Sequence, residues 1–137
     1  MKRIYRDTLA VAIMIGSGST NFAQAQSVVD IKTIISISGP PVIIDQHEAL
    51  NLAGVFMVGG TTSASVTQNG NNNATGILQF GNAASASVRQ NGINNLTFVG
   101  QSAGSSGNSI FQIGNMNAGV VLQLGGVNIS TIVQSGM

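Results

Sequence analysis

The sequence predicts an all-β chain wound as a β-solenoid, and three observations carry that expectation. Gln68, Gln79, Gln90, Gln101, Gln112, Gln123 and Gln134 stand eleven residues apart, and two further steps back lead through Met57 to Gln46. A fixed period of this kind marks a chain built from stacked copies of one small unit. Two positions before each step stand Ile44, Val55, Val66, Ile77, Val88, Val99, Ile110, Val121 and Ile132, all Val or Ile. Two positions after it Gly recurs, at Gly59, Gly70, Gly81, Gly92, Gly114, Gly125 and Gly136.

The elements follow in chain order. Residues 1–25 read as a secretory signal peptide: Lys2, Arg3 and Arg6 are the positive start, Leu9 to Ile15 the apolar core, and Ala23-Gln24-Ala25 the small-residue cleavage site. A buried N-terminal helix or strand is the alternative. Cleavage would start the mature chain at Gln26 and send it out of the cell. Residues 26–45 form a leader of different character. Val28, Val29, Ile31, Ile34, Ile35 and Ile37 suit one strand, and Gly39-Pro40-Pro41 interrupts it, since Pro cannot donate to a ladder. This leader reads equally as an edge strand or cap and as a targeting segment for export.

Residues 46–137 are the repeat domain. Side chains two apart on a strand share a face. The Val/Ile row therefore lies beside Gln, together with a mostly small row at Ala53, Ala64, Thr75, Ala86, Thr97, Gly119 and Ser130. Five positions after the amide, Asn recurs at Asn51, Asn73, Asn95, Asn117 and Asn128. Gly and Asn tolerate positive φ and supply turns. Each 11-residue half-repeat thus becomes a strand of about six residues and a turn of about five. Two half-repeats close one 22-residue coil of strand-turn-strand. Strands are expected near 51–57, 62–68, 73–79, 84–90, 95–101, 106–112, 117–123 and 128–134, stacked as roughly four and a half rungs.

Inside the coil, Val55, Val66, Ile77, Val88, Val99, Ile110, Val121 and Ile132 are the expected core. The eight glutamines from Gln46 to Gln134 and the five asparagines are expected as ladders, each amide bonding the copies above and below. Outside, one sheet is hydroxyl-rich, with Ser65, Thr67, Ser87, Ser109 and Thr131 beside Arg89. The other carries an apolar strip of Phe56, Leu78, Phe80, Phe98, Leu122 and Leu124. Such a strip marks a contact surface unless the leader folds back over it.

Composition narrows the function. Of 137 residues only nine are charged, and after Glu48 the single charge is Arg89, so no basic patch for nucleic acid exists. The absence of Cys excludes disulfides and thiolate metal sites. His47, with Asp45 and Glu48 nearby, is the one candidate for metal or proton chemistry. Neighbours on a strand alternate faces, so the expected place of this trio is a solvated first turn. No catalytic residue, metal or cofactor is expected. Asn-x-Ser/Thr at Asn73, Asn95 and Asn128 matches a glycosylation pattern, but the repeat itself generates it.

The runs Gln68-Asn69-Gly70-Asn71-Asn72-Asn73 to Gln79, Gln90-Asn91-Gly92-Ile93-Asn94-Asn95, Gln112-Ile113-Gly114-Asn115-Met116-Asn117 and Gln123-Leu124-Gly125-Gly126-Val127-Asn128 to Gln134 resemble the curlin repeat. In that repeat Gln-x-Gly-x-x-Asn precedes a second Gln. Curlins are secreted subunits of curli, the amyloid fibres of bacterial cell surfaces and biofilms. The resemblance implies export by the Sec route and passage through the outer-membrane curli channel. It also implies self-assembly outside the cell with a second curlin subunit, as fibre subunit or nucleator. The Ala-x-Val-x-Gln runs ending at Gln68 and Gln90 look closer to the nucleating type. There are departures: Thr75, Thr97 and Gly119 stand where Ala is expected, and the unit at Gln101 lacks Gly at 103 and Asn at 106.

Open strands at a solenoid's ends template further chains, and low charge favours a cross-β, amyloid-like fibre. The alternative is a monomeric secreted solenoid that binds ice or glycans, which needs a regular outward array of Thr or aromatics.

Overall fold

Nine strands, all joined by parallel pairing, make up the computed structural model, which describes residues 22–25, 30–37, 42–48 and 50–136. They are β1 (Phe22–Ala25), β2 (Asp30–Ile37), β3 (Val42–His47), β4 (Asn51–Val58), β5 (Ser63–Asn69), β6 (Ala74–Asn91), β7 (Leu96–Ile113), β8 (Ala118–Leu124) and β9 (Val127–Ser135). From β3 onward, paired residues stand 22 apart, as in Val66 with Val88 and Val88 with Ile110. This is a β-solenoid whose coil is two half-repeats long.

Two stacks of strands result. The first holds β1, β3, β5, the second halves of β6 and β7, and β9. The second holds β2, β4, the first halves of β6 and β7, and β8. Their inward rows meet in one narrow core containing Val55, Val66, Ile77, Val88, Val99, Ile110 and Val121, all buried. Ile132 is only partly buried, because β9 is the last strand of its stack and nothing lies beneath it. Each such Val or Ile contributes about 1.5–3 kcal/mol by leaving water.

Three departures from the sequence expectation have physical causes. First, β6 and β7 are 18-residue strands rather than pairs of short ones. At Gly81 to Ala84 the chain bends while Gly81, Ala83 and Ala84 still pair with Ala103, Ser105 and Ser106 of the next rung, so the ladder skips only Asn82. On the opposite arc Asn72, Asn94 and Met116 take φ of 57–60°, and the strand stops. Second, the leader supplies more than the one strand expected of it. β2 and β3 stack as a further rung, with an offset of 21 residues between β2 and β4, as in Ile34 with Val55. Third, that first rung carries Lys32, buried in the small-residue row beside Ala53. The signal-peptide expectation falls on residues outside the described ones, except that Phe22–Ala25 form β1 and pair with β3. The Gly39-Pro40-Pro41 interruption also lies outside them.

Candidate functional site

The amides form two columns, one in each stack. In the first stack, each Gln Nε2 donates to the Oε1 of the next rung. Gln46 donates to Gln68 at 2.6 Å, Gln68 to Gln90 at 2.8 Å, Gln90 to Gln112 at 2.9 Å and Gln112 to Gln134 at 2.6 Å. In the second, Gln79 donates to Gln101 at 2.5 Å and Gln101 to Gln123 at 3.4 Å. The other Nε2 hydrogen reaches a backbone carbonyl, as from Gln90 to Ala74 at 3.2 Å. Burial of so many amides is tolerable because identical copies satisfy one another.

Two threonines of the small-residue row tie the first column to the opposite stack. Thr75 Oγ1 donates to Gln90 Oε1 at 2.9 Å and accepts from Gln68 Nε2 at 3.1 Å. Thr97 repeats this with Gln112 and Gln90, at 2.8 and 3.1 Å. A small residue is needed at this depth, and only one with a hydroxyl bridges two glutamines. The signal available was that Thr recurs at 22-residue spacing opposite the uninterrupted amide column.

Asn51, Asn73, Asn95 and Asn117 stack on the tight arc. Asn73 Nδ2 donates to Asn51 Oδ1 at 3.2 Å, Asn95 to Asn73 at 3.0 Å and Asn117 to Asn95 at 3.0 Å. The same oxygens accept the backbone N–H of the following Asn, at 3.1–3.2 Å. Asn128 does not belong to this ladder. It lies on the other arc, in register with Ser106, and its amide bonds the Gly125 carbonyl and closes its own turn. An 11-residue count cannot separate the two arcs; a 22-residue count does. Asn73 and Asn95 are buried in the ladder, so neither presents a glycan acceptor.

The turn glycines form a column on this arc. Gly70, Gly92 and Gly114 have φ of 104°, 127° and 98°, and a Cβ on each would stand 2.0–2.1 Å from the carbonyl oxygen of the glycine one rung on. Gly59, Gly81 and Gly125 also take positive φ. Gly136 does not: it follows the last strand and supplies its carbonyl to the Gly114 site. Glu48 holds the glycine position of the first turn, at φ 76°.

Outward residues divide as the alternation requires. Ser87, Ser109, Thr131 and Arg89 are exposed on the first stack, while Ser65 and Thr67 are half-buried there. Arg89 lies over the Phe111 ring at 5.7 Å. On the second stack Phe56 and Leu78 are half-buried, and Phe80, Phe98, Leu122 and Leu124 are exposed. The Phe56 and Phe80 rings meet at 5.7 Å. His47 is not in a solvated turn. It ends β3 on the same side as Asp45, with Nε2 3.1 Å from the carboxylate. Among the described residues no three His, Asp or Glu come together as metal ligands.

Both columns end in a polar mismatch. At the N-terminal end Gln46 Oε1 and Ser36 Oγ are buried without a hydrogen-bond partner. Gln79 Oε1 is also unpartnered, because Met57 above it has no N–H to give. At the C-terminal end Gln134 uses one N–H on the Ala118 carbonyl at 2.8 Å and has another left.

This is the geometry of a structural repeat protein. Residues 62–92 match the family model of the curlin associated repeat, which supports curlin family membership. The matched segment runs from β5 to the end of β6, one full coil and part of the next. No curated protein and no solved structure gives a significant match to the chain.

Proposed function

We propose that this chain is a secreted structural subunit that adds end to end into extracellular, curli-like amyloid fibres for adhesion and biofilm matrix. One observation carries the reading: the two ends of the solenoid complement each other. Continuing the 22-residue register past β9 sets Gln134 against Gln46 of a second copy, and Gln123 against its Ser36. The spare Gln134 N–H then meets the buried Oε1 that lacks a donor, and Gln123 meets the buried hydroxyl that lacks one. The free edges of β9 and β8 add backbone hydrogen bonds.

Export fits the same scheme. Cleavage after Ala25 would remove β1 from the edge of β3 and open it to a second copy. The family resemblance adds the Sec route, the curli secretion channel and a second curlin subunit as partners. The role is that of fibre subunit or nucleator, and no catalytic step is assigned.

Incubating the chain that starts at Gln26 near neutral pH tests the reading. Thioflavin-positive fibres with spacings of about 4.7 and 10 Å are expected. A monomer stable for days favours a solenoid binding module instead. Gln134→Ala should slow elongation severalfold while leaving the coil folded. Unchanged elongation would remove the end-complementarity argument.

A further inference from the structure

The N-terminal edge of the first stack is already occupied. β1 pairs with β3 in parallel, setting Phe22 against Ile43, Ala23 against Ile44, Gln24 against Asp45 and Ala25 against Gln46. That is the edge to which β9 of a second copy must add. Continued past β9, the 22-residue register sets residues 130–135 against Val42–His47, with Ile132 against Ile44 and Gln134 against Gln46. β1 thus covers four of the six β3 residues that the second copy needs. The two occupants exclude each other. β8 of the second copy cannot pair with β2 on its own, because β8 and β9 form one rung joined only by Gly125 and Gly126. β1 is also the poorer occupant. Ile44 and Gln46 are buried, inward residues of β3, and β1 sets alanines against them where β9 brings Ile132 and Gln134. Alanine has no amide, and Gln46 Oε1 is left without a donor.

We propose that β1 is an autoinhibitory strand: while it is attached, the chain does not polymerise, and it arrests any fibre end to which it adds. The inference rests on the end-to-end assembly above and deepens it. The advantage of β1 over the better-matched β9 is attachment, since a tethered strand competes at high effective concentration. The block is one-sided. Among the described residues nothing pairs with the free edges of β8 and β9. A capped copy can therefore add through them to an exposed β3. Its own β1 then lies on the new end, where the next copy must dock. At the opposite fibre end, where β9 is exposed, a capped copy cannot add at all.

Single-fibre fluorescence imaging tests it, with seeds made from the chain that starts at Gln26. That chain should extend the seeds continuously. The full 137-residue chain should give no continuous extension. Mixed at low ratio into the Gln26 chain, it should halt growth at one end. Ala23→Pro with Gln24→Pro in the full chain separates the pairing of β1 from the mere presence of residues 1–21. Successive strand N–H groups point to opposite sides, so two adjacent prolines remove the donor toward β3 whichever residue makes it. β1 is the outermost strand of its stack, and the coil beneath keeps its own ladder. This variant should extend the seeds as the Gln26 chain does. A full chain that extends them as fast as the variant, a variant that stays blocked, or a mixture in which every end keeps growing would overturn the autoinhibition alone. Absence of any fibre from the Gln26 chain would fail the end-to-end reading first and this one with it.

Discussion

The two arcs of the coil have the same length in sequence and are built differently. The tight arc, through Gly70, Gly92 and Gly114, breaks its strands and stacks four asparagines beside its glycine column. The wide arc, through Gly81 to Ala84, carries β6 and β7 round unbroken and has no amide ladder. Its corresponding row reads Thr62, Ala84, Ser106 and Asn128, in which Ala84 has no polar atom to offer its neighbours. Thr62 Oγ1 and Ser106 Oγ are accordingly buried without partners. A repeat stabilises itself through its polar groups only where the same amide recurs every 22 residues. On the wide arc side chains bond backbone carbonyls instead, Thr61 that of Asn82 and Asn128 that of Gly125.

Substitutions can break or sharpen that contrast, measured as shifts in the denaturation midpoint of the monomer. The largest effect is expected at Gly92→Ala, where both the positive φ and the carbonyl 2.0 Å away must yield. A cost on the order of 3 kcal/mol or more follows. Gly60→Ala on the wide arc meets only ordinary contact, 3.6 Å from the Asn82 carbonyl, and should change little. Equal effects at the two sites would mean that the positive φ and the close carbonyl at Gly92 carry no cost.

Asn95→Leu comes next. It leaves the Asn73 Oδ1 and the amides of Asn117 short of partners, for about 2–3 kcal/mol. Glu48→Gly should be a gain of about 1 kcal/mol, because it relieves a left-handed residue in the first tight turn. A loss there would mean that the Glu48 side chain holds the turn. The smallest effect is expected at Ser106→Ala, within about 0.5 kcal/mol, since its hydroxyl has no partner to lose. A cost above about 1 kcal/mol would show that the Ser106 hydroxyl has a hydrogen-bond partner after all.

Much of the fold was legible because the period is strict and the alternation unambiguous. Val66, Val88 and Gln90 face inward for reasons visible in any window of eleven residues. The first rung was harder to see. Lys32, Ile34 and Ser36 replace the expected small, apolar and amide residues, and their offset to β4 is 21. Lys32 reads as a surface charge until the register places it in the core. The Asp45–His47 contact was hidden for a related reason, since it depends on β3 being a strand through His47.

What the amino-acid order determined alone is the coil: a 22-residue repeat, an inward row of Val, Ile and Gln, and one hydroxyl-rich and one apolar exterior. These depend only on the two-residue alternation of a strand and on where Gly and Asn permit a turn. Why Thr75 and Thr97 are threonine, and which buried atoms at the ends lack partners, were decided by the tertiary structure. Those depend on contacts 15 to 22 residues apart, and hydrogen bonds at such separation exist only once the rungs lie on one another.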